Sequence, residues 1–247
     1  MKRKEVFSGI RAAPPVIMRM DGRNFKESLA RLGFRRPYDE AFARGMAAAA
    51  RSLLADSGLG PEWAFVFSDE VSVLFNELPF DGRVEKLDSV AASWQSSALT
   101  LNLRQDTPLA FDARVIPVHR EEIVAYLVNR QSEAWRNHMQ SYGFYTLVAE
   151  GMSEREAAAK MKGMRFEDIH EMMWQRGVNL NETPGWQRKG VFICPKKYEK
   201  EGYNPVTGEK VFVDRLEIVE EWDPPVFGSD EGKAFLRTVL QEARPPR

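Results

Sequence analysis

Two short β-rich runs, Ala64 to Phe67 and Val71 to Phe75, are separated only by Ser68, Asp69 and Glu70. β-Branched and aromatic residues on both sides of so short a polar interval predict an antiparallel hairpin with acidic residues at its tip. Upstream, Val16 to Met20 is an apolar run between the Pro14-Pro15 pair and an Asp-Gly step, the pattern of a buried strand that ends abruptly. From Tyr38 to Ala55, Phe42, Met46, Ala49, Leu53 and Leu54 recur at helical spacing in an alanine-rich stretch, with Gly58 and Gly60 after its end. Downstream of the hairpin, Val84, Leu87, Val90, Ala91, Trp94 and Ala98 mark a second amphipathic helix, and Phe111 to Val118 reads as a strand. Strand, helix, hairpin, helix, strand is the split βαββαβ order. It predicts an α+β fold in which two helices cross one face of an antiparallel sheet and the other face stays open.

After this core, Glu121 to Tyr142 reads as one long helix, with Ile123, Tyr126, Leu127, Ala134 and His138 near its apolar side. Ser153 and Glu156 have the spacing of a capping box and start a short helix ending at Gly163; Phe166 to Arg176 forms another, stopped by Gly177. Val191 to Cys194 is a strand. Tyr203 to Glu221, with a turn at Pro205 to Glu209, is expected to be a hairpin projecting from the body, and Asp230 to Glu242 a final helix. No linker divides the chain. The expected organisation is a catalytic part, 1–145, and a helical and hairpin appendage, 146–247, packed on it rather than folding alone.

Lys plus Arg number 35 and Asp plus Glu 36, a net charge of -1, so a polyanion must be held by local clusters of cations rather than by the chain as a whole. The single cysteine, Cys194, excludes an intrachain disulfide and a multi-cysteine zinc site, and fits a reducing cytoplasm. Apolar runs fall well short of the roughly 20 residues that cross a bilayer, and the basic start Met1 to Lys4 has no apolar stretch behind it, so neither a membrane nor a secreted location is expected.

Asp21 ends the first strand and Asp69 sits at the hairpin tip. In a split βαββαβ sheet that strand and that hairpin are neighbours, so the two carboxylates can meet at one sheet edge. Close together they need a cation or a shared proton between them, and hard oxygen ligands favour Mg2+. Metal-bridged carboxylates of this kind support phosphoryl or nucleotidyl transfer. Gly22 leaves room for a backbone oxygen or a phosphate to come close. Asp-Gly is equally a common turn dipeptide, and Ser-Asp-Glu at a tip is ordinary solvated chemistry. Arg19, Arg23 and Lys26 flank Asp21, Arg35 and Arg36 precede Pro37, and Arg83 and Lys86 share a face at the start of a helix, where a triphosphate would also meet unpaired N–H groups. A solvated basic face explains the same residues. Arg188 and Lys189, and Lys196 and Lys197, are pairs that could track a nucleic-acid backbone. His119, His138 and His170 lack partners at metal or triad spacing. Cys194 reads as a small buried residue. Trp135, Trp174 and Trp186 suit base stacking or core packing alike.

Arg19-Met20-Asp21-Gly22-Arg23-Asn24-Phe25 resembles the Arg-Leu-Asp-Gly-Arg-Asn-Phe signature of tRNA-His guanylyltransferases and their relatives, the 3'-to-5' nucleotide polymerases. Ser68-Asp69-Glu70-Val71-Ser72 resembles that family's Ser-Asp-Glu-Tyr-Ser, Phe111-Asp112-Ala113-Arg114 its Phe-Asp-Gly-Arg, and Arg130-Gln131 its Arg-Gln. Gly151 to Gly163 and Arg188-Lys189-Gly190 follow its Gly-Leu-Thr and Arg-Lys-Gly regions, so the likeness runs in order from about Pro15 to Ile193.

The resemblance implies a palm-like catalytic domain run in the reverse direction. It implies Mg2+ held by Asp21, the Gly22 carbonyl and Asp69, with Glu70 in support. The triphosphate would be cradled by Asp21, Gly22, Arg23, Asn24, Phe25, Lys26 and Ser68, and met by Arg83 and Lys86, with Arg36 and Asp39 near the activating nucleotide. Arg130, Asn137, Arg188 and Lys189 would meet RNA. The implied partners are tRNA, GTP and ATP, and the implied assembly is a homotetramer. Where eukaryotic members carry His-Ile-Asn-Asn, this chain reads Trp135-Arg136-Asn137-His138 and keeps only Asn137, which is more similar to archaeal and bacterial relatives that extend 5' ends against a template. Two other functions fit the carboxylates or the basic pairs. A palm-fold nucleotide cyclase would make cyclic product without RNA; a non-catalytic tRNA-binding module would retain tRNA regardless of Mg2+.

Overall fold

In a computed structural model of the chain, residues 4–203, 208 and 210–242 are described. Six strands form one antiparallel sheet: β1 (Val16–Gly22), β2 (Ala64–Phe67), β3 (Glu70–Phe75), β4 (Phe111–Pro117), β5 (Val191–Tyr203) and β6 (Lys210–Glu221), in the order β4-β1-β3-β2-β5-β6. The first four strands stand in the 4-1-3-2 order that the split βαββαβ pattern demands. Register is fixed along β1, where Val16 faces Phe75 on one side and Pro117 on the other, and Asp21 faces Glu70 and Asp112.

Helices α2 (Glu40–Ala55) and α3 (Val84–Asn102) cover one face, as expected. Their Met46, Ala50, Leu53, Leu87, Ala91 and Leu99 pack with Met18, Met20, Val71, Val73 and Phe75. The Asp39 side chain accepts the Phe42 N–H at 3.1 Å, which starts α2 after Tyr38 rather than at it.

The opposite face is not open, which corrects the expectation. It is covered by α4 (Glu122–Ala149) and α8 (Asp230–Glu242), whose Ile123, Leu127, Ala134, Leu236 and Val239 pack on Ile17, Phe65, Phe67, Leu74 and Phe192. These strands are apolar at successive positions rather than alternate ones, so both faces of the sheet need cover.

Helix α4 runs seven residues past Tyr142, and the expected boundary at residue 145 falls inside it. Gly143 permits the continuation: a Cβ there would lie 2.6 Å from the Met161 methyl, because α5 (Glu154–Met161) and α6 (Phe166–Trp174) pack tightly against this half of α4. The Ser153–Glu156 capping box forms as expected.

The late hairpin is longer than expected, and its base belongs to the core sheet. Val191 pairs with Val66 and Ile193 with Ala64, while the strands beyond Pro195 project outward with exposed side chains. Pro195 is tolerated because pairing with β2 ends at Ile193, so one edge of β5 is unpaired there. Apart from Gly208, the Pro205–Glu209 turn lies outside the described residues. Two short helices were not expected, α1 (Phe25–Arg31) and α7 (Gly185–Lys189).

Candidate active site

The end of β1 and the β2–β3 tip meet. The Gly22 N–H donates to the Asp69 carbonyl at 3.1 Å, and Asp21 stands opposite Glu70 in the strand register. Ser68 turns the tip with a left-handed φ of 49°, and its hydroxyl donates to the Asp69 carboxylate at 3.0 Å. Burial pushes the Asp69 carboxyl above its ordinary range; the Ser68 hydrogen bond opposes the rise and the neighbouring Asp21 charge adds to it. The two aspartates therefore share one electrostatic site.

Glu70 is also raised by burial, opposed by Arg130 and Arg19. Arg130 reaches it from α4 at 3.3 Å. One helical turn earlier, the Tyr126 hydroxyl is 2.9 Å from the Ser72 hydroxyl. Four residues of helix advance about 6 Å and two residues of strand about 7 Å, so α4 addresses alternate β3 residues on one face.

Gly22 must lack a side chain. A Cβ would lie 2.8 Å from the Phe25 ring and 2.9 Å from the Asp69 Cβ. Gly22→Ala should therefore cost about 1–3 kcal/mol of stability, read from denaturant unfolding, together with any activity that depends on the Asp21–Asp69 spacing.

Past Gly22, Asn24 adopts a left-handed φ of 58° and turns the chain into α1, with its side chain donating to Glu27 at 2.9 Å. Phe25 is buried edge-on against Phe42 and Phe111, while Arg23 and Lys26 stay exposed. Beside Asp69 opens a cleft of ≈ 250 Å3 whose lining includes Lys26, Arg36, Asp39, Ser68 and Tyr145. Its inner wall is apolar, from Phe34, Phe42, Met46 and Trp186. Arg36 donates to the Lys26 carbonyl at 2.6 Å and lies over the Tyr145 ring; Lys26 pairs with Glu154 at 2.6 Å. Burial works to raise the Asp39 carboxyl, but N–H donors from Arg35, Phe42 and Ala41 outweigh it and hold the group below its ordinary value. A charged rim over an apolar interior suits a phosphorylated ligand with a flat ring.

Other expected residues lie elsewhere. Arg83 and Lys86 start α3 at the far end of the sheet: Arg83 bridges to Arg11, ahead of β1, and its guanidinium donates to the Phe80 carbonyl. Five residues of β1, about 17 Å, separate Val16 at that end from Asp21. Arg188 donates to the Thr183 carbonyl at 2.7 Å, and Lys189 pairs with Asp223 at 2.7 Å. Asn137 is exposed on α4. Tyr38, Ser141 and Tyr145 line the cleft without having been expected there. The spacing of Ser141 and Tyr145, four apart on an unusually polar helix, was the available signal.

A metal fits the tip only as a partly protein-held ion. Among the described residues no three histidine, cysteine or carboxylate groups converge on one point. Two hard carboxylates beside the side-chain-free Gly22 leave the remaining positions of an octahedron to phosphate and water, which is how Mg2+ is commonly bound.

Residues 1–119 match the family model described as tRNAHis guanylyltransferase, and residues 121–220 match the Thg1 C terminal domain. A probable tRNA(His) guanylyltransferase of Drosophila melanogaster is 30% identical over 198 residues, covering 74% of this chain and 67% of the fly protein. Among solved structures, a bacterial tRNA(His) guanylyltransferase-like protein in complex with ATP superposes with a TM-score of 0.77 at 20% identity, covering 97% of this chain and 96% of the other. The same kind of bacterial protein in complex with GTP gives 0.69 at 20% identity, with coverage of 97% and 96%. The fold is thus the palm-like fold of these structures, and the chain belongs to the tRNA(His) guanylyltransferase family of nucleotidyltransferases.

Proposed function

We propose that this nucleotidyltransferase is Mg2+-dependent and adds nucleotides to the 5' end of tRNA in the 3'-to-5' direction. The observation that carries the reading is the meeting of Asp21 and Asp69 beside a cleft with an apolar interior rimmed by Lys26 and Arg36. Asp21, Asp69 and the Gly22 carbonyl hold the ion, and Glu70, itself held by Arg130, supports them. When bound, Mg2+ offsets phosphate charge and lowers the pKa of an attacking hydroxyl. The residues from Arg23 to Lys26 and Ser68 face the triphosphate, which displaces Glu154 from Lys26. Arg36 and Asp39 border the activating nucleotide, whose base enters the apolar interior. An oxygen of a 5'-monophosphate first attacks the α-phosphorus of ATP, expelling pyrophosphate and leaving an adenylylated 5' end from which AMP can later depart. The 3'-hydroxyl of GTP then attacks the RNA's 5' phosphorus, and the nucleotide leaving group departs.

Asn137 on the exposed face of α4, with Arg130, Arg188 and Lys189, completes the proposed RNA contacts. The 1–145 part carries the chemistry and the 146–247 part supports it. Arg83 and Lys86 stand too far from Asp21 to serve their own chain's site, so their triphosphate role requires a second copy, in keeping with a homotetramer. Among the described residues no helix is long and apolar enough to cross a membrane, and a tRNA substrate is in keeping with a cytoplasmic location.

Incubation with 5'-labelled tRNA, GTP, ATP and Mg2+ should give a product one nucleotide longer; no extension of any tRNA would overturn the reading. With matched tRNA-His substrates bearing C or A opposite the added position, addition opposite C alone marks templating, and addition opposite both marks recognition of identity.

A further inference from the structure

We infer that Gln131 is a positioning residue for the cleft that takes the activating nucleotide, an inference that rests on the reading above. Gln131 follows Arg130 on α4, and consecutive helix residues point about 100° apart. While Arg130 reaches Glu70 at the catalytic tip, Gln131 therefore turns into the junction of α7, β5 and the chain before α8, where it is 6% exposed. Its Oε1 accepts the Phe227 N–H at 2.7 Å, and its Nε2 donates to the Pro225 carbonyl at 3.0 Å and the Lys189 carbonyl at 3.4 Å. Both ends of the amide are engaged, by segments 58 to 96 positions away in the sequence.

What those bonds hold is the far wall of the cleft. Helix α7 carries Trp186 into that wall, and Val191, just past its end, lines it too. Yet α7 has five residues, none of them buried and no side-chain cap. A helix so short does not keep its place through its own hydrogen bonds, so its position is set from outside. The Tyr142 hydroxyl donates to Gln187 at 2.7 Å, and Gln131 takes the Lys189 carbonyl at the end of α7, where helix carbonyls lack partners of their own.

Gly190 then lays the chain on β2 with a left-handed φ of 76°; a Cβ there would lie 2.7 Å from the Phe65 ring and 2.8 Å from the Val66 carbonyl. The junction has no slack on the β2 side, and Gln131 closes it on the α4 side. Pro225 and Phe227, the other partners of the same amide, fix the chain after β6, where Asp223 pairs with Lys189 at 2.7 Å and the Trp222 ring meets Trp186 edge-on with centroids 6.3 Å apart. One side chain thus fixes both the strip that carries Trp186 and the strip that backs it. Gln131 is not part of the cleft lining, so it acts on a nucleotide only through that wall.

The test separates activation from addition. A tRNA with a 5'-triphosphate carries its own leaving group, pyrophosphate, and needs no activating nucleotide, whereas a 5'-monophosphate needs ATP. For Gln131→Met we expect KM for ATP on 5'-monophosphorylated tRNA to rise by roughly tenfold with kcat little changed, and addition to 5'-triphosphorylated tRNA to stay within about twofold of the wild type. In a Trp186→Leu background the same substitution should add little further, because both act on one wall. If Gln131→Met fails to fold, Gln131→Glu at about pH 8 keeps the acceptor for Phe227, loses both donors and should show the same split. Equal losses on both RNAs, an unchanged KM for ATP, or additive effects of the Gln131 and Trp186 substitutions overturn the role of Gln131 and spare the tRNA reading. A wild type that extends neither RNA overturns both statements.

Discussion

Asp69→Asn is expected to lower nucleotide addition by about a thousandfold or more while making the metal-free protein more stable. The loss follows from removing half of a two-carboxylate site in which charge neutralisation does most of the work. The gain follows from burial, which holds the folded Asp69 carboxyl above its unfolded value, with the Asp21 charge adding to the rise. A carboxyl raised in the folded state costs stability once the pH exceeds that folded value and costs none below the unfolded value. The variant's melting temperature should therefore exceed the wild type's at neutral pH, and the difference should vanish as the pH falls below about 4. Added Mg2+ should reverse the order, because an ion bound only by the folded wild type stabilises it in proportion to the logarithm of its concentration. A variant that extends tRNA normally, or whose melting still rises with Mg2+ as the wild type's does, would remove Asp69 from the site.

The residues that made this site legible are those whose chemistry is local. Ser68-Asp69-Glu70 between two β-rich runs specifies a tip, and Asp21-Gly22 after Val16 to Met20 specifies a strand end. The 4-1-3-2 strand order then forces the two together. Arg83 and Lys86 show where locality stops helping. Their spacing correctly shares a helix face, yet nothing in it says at which end of the sheet that helix begins, and the bridge from Arg83 to Arg11 puts it opposite Asp21. The second cover of the sheet was encoded in Phe65, Phe67 and Leu74, but an apolar run does not reveal which distant helix will meet it.

The missed and lengthened elements have equally particular causes. Helix α1 follows Asn24 with Glu27 three residues on, the spacing of a capping signal, but only Phe25 and Leu29 are buried in its seven residues, too short a run for periodicity to mark it. The continuation of α4 is hidden by Gly143, which reads as a weakness until Met161 and Met172 fill the space beside it. Pro195 and the alternating charges after it conceal that β5 continues far beyond Cys194. Arg130 followed a motif, but its partner Glu70 lies on a strand sixty positions away and is set by the match between helical and strand steps.

His138 gives the second large effect, an acid-sensitive junction. The residue is fully buried on α4, stacked on Trp135 and close to the Tyr38 and Tyr142 rings, and its Nε2 is 2.8 Å from the Thr183 hydroxyl. Its Nδ1 has no hydrogen-bond partner among the described residues. Burial, with the Arg188 and His170 charges adding to it, lowers its pKa to about 3. The unfolded chain takes up a proton below about 6.5 and the folded chain does not, so stability falls as pH drops through the interval between those values. At 1.36 kcal/mol per unit, His138 should remove roughly 3 kcal/mol between pH 6.5 and 4. His138→Gln keeps an amide able to meet Thr183 and has no proton to gain, so its unfolding free energy should decline less by about that amount over the same range. Comparison with the wild type cancels the acidic groups common to both. Because the Thr183 carbonyl also accepts from Arg188 at 2.7 Å, the first segment to lose hydrogen-exchange protection on acidification should be α7 and the turn before it. Parallel pH curves for the two proteins would mean that the imidazole is protonated in the fold, and that Trp135-Arg136-Asn137-His138 supplies a charge at the cleft instead of a neutral strut beneath it.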